Sequence, residues 1–476
     1  MLAGPKRQLD ATWNAFEPFD IAARWPADRG LAVLSSGRSD VRWSRWSLLA
    51  EPGEGQDETW GLDDPADVRA GLASLETRVA SDNAPWLGVM GYDMAYGLEW
   101  VGTSARLDHA WPAAAMRRCP GWLLYDRAKA CWSAGGTWAT GRPWIDDLPG
   151  RVPVPAEDGF GIGDLRSGFT QAAYREAVAR CLDYIAAGDV FQVNLTQRFA
   201  GAFMGDPRAA FLSLNAASPA WYGAYVEWPA TCDRPALALA SISPELLLEL
   251  HGDGTVVTRP IKGTRPADAT EDELRDSEKD AAELSMIVDL LRNDLGRVCA
   301  YGSVRVEEAR AIEHHPTVQH GVATVTGRLH GPCGLADVLR AVLPGGSITG
   351  APKVRAMQII DALEPVRRGP YCGAVGWLQG GGGGRGERLR GAWNVAIRTA
   401  LIEQGQRGGL GRVSFGVGGG IVADSEPGAE YAETLVKSSA LRAGLAAGRM
   451  AIPDSVAEVD ACGTAQLVEF LREANG

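Results

Sequence analysis

Hydrophobic and polar positions repeat with two periods along this chain, one typical of helices and one typical of strands. Between residues 171 and 187 the apolar positions recur every three or four residues, which predicts an amphipathic helix. Thr170 is suited to cap the start of this helix, and Gly188 is suited to end it. Residues 190–199 then alternate polar and apolar side chains, so a half-buried strand is predicted directly after the helix.

The same patterns predict most of the remaining elements. Further strands are predicted at residues 31–34, 86–92, 122–125, 237–242, 245–250, 256–261, 318–329, 373–378, 393–400 and 412–417. Further helices are predicted at 208–216, 335–343, 352–363 and 430–447. Residues 133–168 are rich in Gly, Pro and Asp, which predicts a connector. We therefore expect an N-terminal subdomain at 1–150, a main region at 165–447, and a tail with one amphipathic helix at 448–476.

The stretch from Arg259 to Val298 joins an extended segment, R-P-I-K-G-T-R-P, to a long predicted helix. On that helix Asp276, Asp280 and Glu283 form a strip beside the apolar face. Carboxylates that border a buried face are costly unless something compensates their charge. A hard divalent cation is one candidate, and a solvated acidic edge is the alternative.

A second pair of carboxylates lies near the C-terminus and favours the cation. Glu430, Glu433 and Lys437 share one face of the last predicted helix, at positions i, i+3 and i+7. Two helices with paired carboxylates also resemble a di-iron centre, but such centres use Glu-x-x-His on two helices, and neither pair here is followed by His. Ligation by oxygen alone, completed by substrate, points to Mg²⁺.

Two glycine-rich runs suggest close contact between backbone and ligand. Residues 344–353, P-G-G-S-I-T-G-A-P-K, lack the Gly-Lys-Ser/Thr of a nucleotide P-loop. They precede a predicted helix, whose free N–H groups suit a carboxylate. Residues 416–422, G-V-G-G-G-I-V, lack the spacing of a dinucleotide fingerprint. A third tract, at 380–386, is predicted to be the tip of a hairpin.

Composition narrows the class of protein. The chain has 476 residues, 46% of them hydrophobic, and a formal net charge of −12. That charge argues against nucleic acid or an anionic membrane as the main partner. The eight cysteines include no C-x-x-C pair, which favours reduced thiols. Because neither a signal-peptide pattern nor a membrane-spanning apolar run is visible, we expect a cytoplasmic protein.

A series of motifs between residues 165 and 445 resembles the chorismate-utilising enzymes, and within them most closely the aminodeoxychorismate synthase component I chains. The motifs, in order, are F-Q-V-N-L-T-Q-R, S-P-E, P-I-K-G-T-R-P, S-E-K-D-A-A-E, D-L-L-R-N-D-L-G-R-V, G-G-S-I-T-G-A-P-K, N-V-A-I-R-T, G-G-G-I-V-A-D-S and E-Y-A-E-T-x-x-K. The resemblance implies an α+β fold of two large stacked antiparallel sheets with helices outside and the active site between the sheets. It also implies chorismate as substrate and Mg²⁺ as cofactor.

The resemblance further implies roles for individual residues. Glu283 and Glu433 would bind Mg²⁺ directly, with Asp280 and Glu430 as outer or alternate ligands. The residues implied to hold chorismate are Thr264, Tyr371, Arg398, Gly418, Gly420 and Lys437. His320 would lie beside the leaving hydroxyl group.

Two positions distinguish the subfamilies. Gln192 stands where isochorismate synthases carry a lysine that activates water, and glutamine cannot act as that base, so ammonia is the expected nucleophile. Lys262 stands in P-I-K-G-T, where anthranilate synthases read P-I-A-G-T. The resemblance implies that Lys262 adds to the ring and expels the 4-hydroxyl before ammonia displaces it, giving 4-amino-4-deoxychorismate, the precursor of p-aminobenzoate and folate.

Two alternatives stay open at this point. One is an anthranilate synthase component I, although V-L-S-S-G stands near the place of that family's L-L-E-S effector motif. The other is a binding protein that kept the fold and lost the chemistry. Since we find no glutaminase motif in the sequence, we expect ammonia to come from solution or from a separate glutamine amidotransferase subunit.

Overall fold

A computed structural model describes residues 2–37, 42–55, 57–61, 65–99, 101–102, 104–140, 143–153, 159–232, 234–315, 318–331, 333–381 and 388–452. Most of the glycine tract predicted as a hairpin tip lies outside these ranges, and so does most of the predicted C-terminal tail. No helix within them is long and apolar enough to cross a membrane.

Strands account for most of the regular structure. In chain order they are β1 Lys6–Gln8, β2 Ala32–Ser35, β3 Trp46–Glu51, β4 Asp57–Trp60, β5 Trp86–Met90, β6 Ala114–Arg118, β7 Gly121–Asp126, β8 Cys131–Gly136, β9 Phe160–Ile162, β10 Arg166–Ser167, β11 Gln192–Gly205, β12 Tyr222–Trp228, β13 Ala236–Ser243, β14 Leu246–Leu250, β15 Thr255–Arg259, β16 Ile261–Pro266, β17 Arg305–His314, β18 Val318–Arg328, β19 Gly350–Ala351, β20 Ala374–Gln379, β21 Arg390–Val395, β22 Thr399–Gln404 and β23 Gly408–Ile421.

The α-helices connect or cover these strands. They are α1 Pro18–Ala22, α2 Pro65–Ala80, α3 Ala95–Leu98, α4 Gln171–Ala186, α5 Pro207–Ala217, α6 Glu271–Arg275, α7 Glu278–Gly296, α8 Leu335–Val342, α9 Lys353–Leu363 and α10 Pro427–Ala446.

The strands form two large sheets. The first sheet has 13 strands in the order β1-β8-β7-β3-β2-β12-β13-β22-β23-β11-β10, and β9 and β19 also pair with β11. The second has 10 strands in the order β16-β18-β15-β14-β21-β20-β5-β6-β4, with β17 on β18. Every ladder between these strands is antiparallel. Both sheets combine early and late strands, since β2 pairs with β12 and β5 with β20.

Three apolar layers hold the sheets and helices together. The layer between the sheets joins residues such as Leu48 and Val226 of the first sheet to Leu87 and Val375 of the second. A second cluster packs α2, α7 and α8 against the outer face of the second sheet and also includes α9, which lies on β11 and β19 of the first sheet. A third cluster packs α5 and α10 against the first sheet. The implied α+β fold of two stacked antiparallel sheets with helices outside is therefore confirmed.

The local predictions hold where the pattern is regular. The helix predicted at 171–187 is α4, and the Thr170 side chain accepts a hydrogen bond from the Ala173 N–H at 3.1 Å. The predicted connector at 133–168 was wrong in part, because it includes the end of β8 as well as β9 and β10. The prediction that Asp276 belongs to the carboxylate strip of the long helix was also wrong. Asp276 lies outside α7, at the C-terminal cap of α6.

The prediction of one strand over 393–400 was wrong in a way that bears on function. The chain leaves the second sheet after β21 and enters the first sheet as β22. Between them Arg398 adopts a left-handed backbone conformation, with φ of 49°. A residue other than glycine is uncommon in this backbone conformation, and such residues are often found at functional sites. The crossing thus places Arg398 between the two sheets.

A buried ion pair braces the loop before α9. Arg368 and Glu364 have side chains only 2% and 4% exposed and lie 2.6 Å apart. Arg368 also donates to the backbone carbonyls of Ile348 and Asn194, at 2.9 and 2.6 Å. Glu364 accepts from the backbone N–H and the hydroxyl of Thr196.

We expect Glu364→Gln to lower the free energy of unfolding by about 3–5 kcal/mol, because it leaves the Arg368 charge buried without its counter-ion. Chemical denaturation measures this change. The exposed pair between Arg275 and Glu271 provides the matched control, since Glu271→Gln should change stability by less than about 0.5 kcal/mol. Equal effects of the two substitutions would contradict the assigned role of the buried pair.

Candidate active site

The ladders of both sheets bring the predicted site residues together. Thr264 on β16 lies opposite His320 on β18. In the first sheet, the N-terminal part of β11, which begins with Gln192, lies along the glycine-rich end of β23. Helices α7 and α10 add the carboxylates, and the crossing between β21 and β22 adds Arg398.

The side chains of Lys262 and Gln192 both approach Gly420. A Cβ atom at this position would lie 2.7 Å from Gln192 Nε2 and 3.5 Å from Lys262 Nζ. No larger residue fits without displacing one of them, which accounts for the glycine. Both polar atoms of the Gln192 side chain are buried and have no hydrogen-bond partner among the described residues. Such unsatisfied groups are rare in native structures and point to a ligand.

Lys262 is largely enclosed, its side chain being 14% exposed, and its Nζ lies 3.8 Å from Glu283 Oε2. Burial lowers the pKa of Lys262, and the positive charge of Lys437 acts in the same direction, while Glu283 and Glu245 oppose the shift. An amine becomes a nucleophile only in its neutral form, which a lowered pKa favours.

Glu245 joins this group although the sequence analysis did not include it among the site residues. It is 6% exposed, and Ser347 donates a hydrogen bond to its Oε1 at 2.7 Å. Burial raises the pKa of Glu245 to about 7, against the opposing effects of Ser347, Lys262 and Arg398. A carboxyl that stays protonated near neutral pH can donate a proton. The available signal was S-P-E, a polar turn that places a glutamate before an apolar strand.

His320 is held by a hydrogen bond to the Thr264 side chain and by a backbone hydrogen bond with Gly263. Its Nδ1 lies 2.9 Å from the Thr264 hydroxyl, whereas Nε2 is buried without a hydrogen-bond partner in the described part of the chain. Burial lowers the pKa of His320 well below its ordinary value, and the charges of Arg398 and His315 add to this. The imidazole is therefore neutral at physiological pH.

The carboxylates of α10 are held by nearby polar groups. Lys437 Nζ lies 2.6 Å from Glu433 Oε1 and donates to the Gly418 carbonyl at 3.1 Å. Burial acts to raise the pKa of Glu433, but Lys437 brings it below its ordinary value. Glu430 accepts a hydrogen bond from Ser425 at 2.6 Å, and burial and the charge of Glu433 raise its pKa.

On α7, Asp280 forms an ion pair with Arg265 at 2.8 Å, and Glu283 faces Lys262. In the described ranges no three His, Cys, Asp or Glu side chains gather closely enough to hold a metal without help. Mg²⁺ commonly binds through one or two carboxylates, with substrate and water completing its shell. The oxygen donors of α7 and α10, both of which act electrostatically on Lys262, fit such a site.

Tyr371 lies beside a different part of β23 from the other predicted residues. A Cβ atom on Gly416 would come within 2.3 Å of the Tyr371 ring, so the ring packs directly on that glycine, two residues from Gly418. Tyr371 also lines a cavity with Arg368, Glu364 and Thr196. This packing places it beside the glycine-rich strand rather than beside Lys262.

Comparison with known proteins identifies the family that this arrangement resembles. The family model described as chorismate binding enzyme matches residues 47–443. The chain is 36% identical over 434 residues to aminodeoxychorismate synthase component 1 of Escherichia coli (strain K12), covering 85% of this chain and 91% of that protein. It is 43% identical over 305 residues to anthranilate synthase component 1 of Thermus thermophilus, covering 62% of this chain and 61% of that one.

Solved structures agree with the fold. Anthranilate synthase component I from Streptococcus pneumoniae TIGR4 superimposes with a TM-score of 0.68 at 27% identity, covering 84% of this chain and 92% of that chain. MenF, the menaquinone-specific isochorismate synthase from Escherichia coli, gives a TM-score of 0.65 at 17% identity, covering 93% and 95%. At 17% identity, the similarity to MenF supports the fold alone.

Proposed function

The chain belongs to the chorismate binding enzyme family, and we propose that it aminates chorismate to 4-amino-4-deoxychorismate as the first component of an aminodeoxychorismate synthase. The observation that carries this proposal is the placement of Lys262 beside Gln192 at Gly420. Gln192 cannot deprotonate water, and Lys262 supplies an enclosed amine. The similarity over 85% of this chain to a protein named aminodeoxychorismate synthase component 1 supports the same assignment.

Substrate binding follows from the cations and backbone groups around this point. Arg398 and Lys437 would pair with the chorismate carboxylates, since guanidinium and ammonium groups both bind carboxylates through charge-assisted hydrogen bonds. Thr264, Tyr371 and the backbone near Gly418 and Gly420 would complete the pocket. Because Arg398 lies at the crossing between the sheets, the bound substrate would lie between them.

Glu283 and Glu433 would hold Mg²⁺, with Asp280 and Glu430 as outer or alternate ligands. When bound, the cation would neutralise a substrate carboxylate and polarise the departing hydroxyl. Without it, the carboxylates of α7 and α10 would repel the chorismate dianion. Lys437, which pairs with Glu433 and donates to the Gly418 carbonyl, would also bind the substrate.

The proposed reaction has two steps, a substitution by Lys262 and a substitution by ammonia. The neutral Lys262 amine forms a C–N bond to the ring, the double bonds shift, and the 4-hydroxyl leaves with its electron pair. Glu245 supplies the proton that makes the leaving group water. Ammonia then bonds at the 4-position, the double bonds shift back, and the C–N bond to Lys262 breaks, so that the amine leaves with its electron pair. Glu245 regains a proton from the incoming nitrogen. His320, neutral and facing the site, would orient the leaving hydroxyl.

Two observations bear on the source of the nitrogen: Gln192 stands where related enzymes carry a lysine that activates water, and the relatives are named as components. Proteins named component 1 imply a second component, and we propose that it is a glutamine amidotransferase that delivers ammonia. The product would enter the p-aminobenzoate branch toward folate.

The experiment that tests the function incubates the purified chain with chorismate, Mg²⁺ and ammonium, and identifies the product by mass spectrometry. Aminodeoxychorismate is expected, and glutamine should replace ammonium only when an amidotransferase subunit is added. Anthranilate as product would establish the alternative that the similarity to the Thermus thermophilus protein favours. Absence of any chorismate-derived product under these conditions would contradict both enzymatic assignments. It would favour the alternative of a non-catalytic binding protein, which family membership alone does not support.

The proton held by Glu245 predicts a pH dependence. Burial raises the pKa of Glu245 to about 7, and an acid must be protonated to act, so kcat/KM should fall as pH rises through that value. Glu245→Gln should lower kcat about 100-fold, because general acid catalysis typically contributes 10²–10⁴, and should remove this limb of the profile. Ser347→Ala keeps the carboxyl, so its profile should retain the limb with a displaced midpoint. A limb that persists in Glu245→Gln would assign the proton to another group.

A further inference from the structure

A buried histidine lies directly behind His320 and has no place in the mechanism above. His315 follows the end of β17, and its side chain is only 4% exposed. Its backbone N–H donates to the carbonyl of Val318, the first residue of β18, at 2.8 Å. Buried histidines usually have a structural or electrostatic partner, so the contacts of this ring indicate its purpose.

The His315 ring lies between two other rings. On one side its centroid is 4.3 Å from the Trp221 ring, with an interplanar angle of 35°. On the other side it is 5.0 Å from the His320 ring at 70°, which is an edge-to-face arrangement. His320 is thus held from two directions, by the Thr264 hydroxyl at Nδ1 and by the His315 ring.

His315 lies beside a buried ion pair, although its Nε2 has no hydrogen-bond partner among the described residues. Its Nε2 lies 3.9 Å from Glu313 Oε2, and Arg259 donates to the other oxygen of the same carboxylate. Arg259 is 2% exposed, donates to Thr324 at 3.2 Å and stacks over Trp43 at 4.0 Å. Glu313 is also the ladder partner of His320. Arg259, Glu313 and Thr324 belong to β15, β17 and β18, which are strands of the sheet that carries His320.

We propose that His315 is a positioning residue for the reaction: its ring, wedged between Trp221 and His320, holds the His320 imidazole with Nδ1 on Thr264 and Nε2 toward the substrate. The torsion that turns an imidazole is soft, and Nε2 has no hydrogen-bond partner among the described residues to fix that end of the ring. An edge-to-face neighbour removes that freedom. The inference rests on the proposed function only in taking His320 to meet the substrate.

Three variants separate positioning from packing. His315→Leu fills similar space without a planar edge, and it should lower kcat for chorismate consumption about tenfold to a hundredfold, the cost of a slightly misplaced group. KM should change little, because His320 is not among the groups that bind the carboxylates. His315→Phe keeps the ring and should retain kcat within about threefold. His314→Leu is the control, since the adjacent His314 is exposed and pairs with Glu271 on the surface.

A second measurement does not depend on turnover. The chain has six histidines, so nitrogen-15 labelling of histidine allows the His320 ring nitrogens to be assigned by comparison with His320→Gln. The Nδ1 signal should shift or broaden in His315→Leu and stay unchanged in His315→Phe and His314→Leu. Because this signal is read without substrate, it decides the inference even if the chain forms a different product.

The outcomes that overturn the inference are equally definite. Unchanged kcat and unchanged His320 signals in His315→Leu would show that His320 does not need this support. Equal losses in His315→Phe and His315→Leu would show that something other than the ring is required. If His315→Leu fails to fold, Trp221→Leu removes the support from the far side. The same change in the His320 signals is then expected, and its absence would refute the proposal.

Discussion

Replacing Lys262 with alanine is expected to lower the rate of chorismate amination by about 10³-fold or more, because it removes the proposed nucleophile. The enclosed amine has Glu283 Oε2 at 3.8 Å, and burial lowers its pKa. Steady-state assay of product formation with ammonium measures the loss. Thermal melting should show that the variant stays folded.

A second arm of this test separates covalent from purely electrostatic action by Lys262. With ammonia withheld, chorismate minus water should appear as an adduct on the peptide that contains Lys262. The exposed Lys129 is the matched control and should remain unmodified. Lys262→Arg keeps the charge and cannot act as an amine nucleophile, so it should be as inactive as Lys262→Ala. An active arginine variant without adduct would mean that the lysine acts only as a fixed charge.

Glu283→Gln and Glu433→Gln are each expected to reduce turnover by about 10²–10³-fold, because each removes a proposed anionic oxygen ligand of the kind that Mg²⁺ prefers. Removing the metal with a chelator should have the same effect on the unmodified enzyme, and added Mg²⁺ should reverse it. Binding of Mn²⁺, followed by its paramagnetic resonance, gives a measure of the site that is independent of turnover.

Asp289→Asn provides the control for that test. Asp289 lies on the same helix, α7, but its side chain is 72% exposed and pairs with Arg292 on the surface. Metal binding and activity should both be unchanged in this variant. Near-normal turnover of either glutamine variant after chelation would contradict the assignment of the carboxylates to a metal.

Much of the fold was predictable wherever the decisive physics is local. The helix α4 was predicted almost to the residue, because a cap, an apolar stripe and a terminal glycine all act within the helix itself. By contrast, β17 was missed, since R-V-E-E-A-R-A-I-E-H is charged and largely exposed. Only its ladder with β18 makes that segment a strand.

The candidate site was predicted from its motifs, whereas its geometry could not be predicted from them. The carboxylates on α7 and α10 were identified as pairs, but only the stacking of both sheets brings Lys262 and Gln192 to Gly420. Glu245 was left out of the site because residue type does not reveal burial, and burial is what raises its pKa to about 7. Arg398 was expected inside a continuous strand, since no local signal marks the crossing between sheets.

The interleaving of early and late strands has a consequence for synthesis of the chain. Trp86 of β5 pairs with Leu378 of β20, so β5 leaves the ribosome long before its neighbour exists. At typical translation rates the wait is roughly 15–60 s. During that time a strand rich in apolar side chains, W-L-G-V-M, has one unprotected edge, which is a hazard for aggregation. Stalled nascent chains that end before Ala374 should therefore be cut readily by protease near residues 86–90, and chains that extend past β21 should resist.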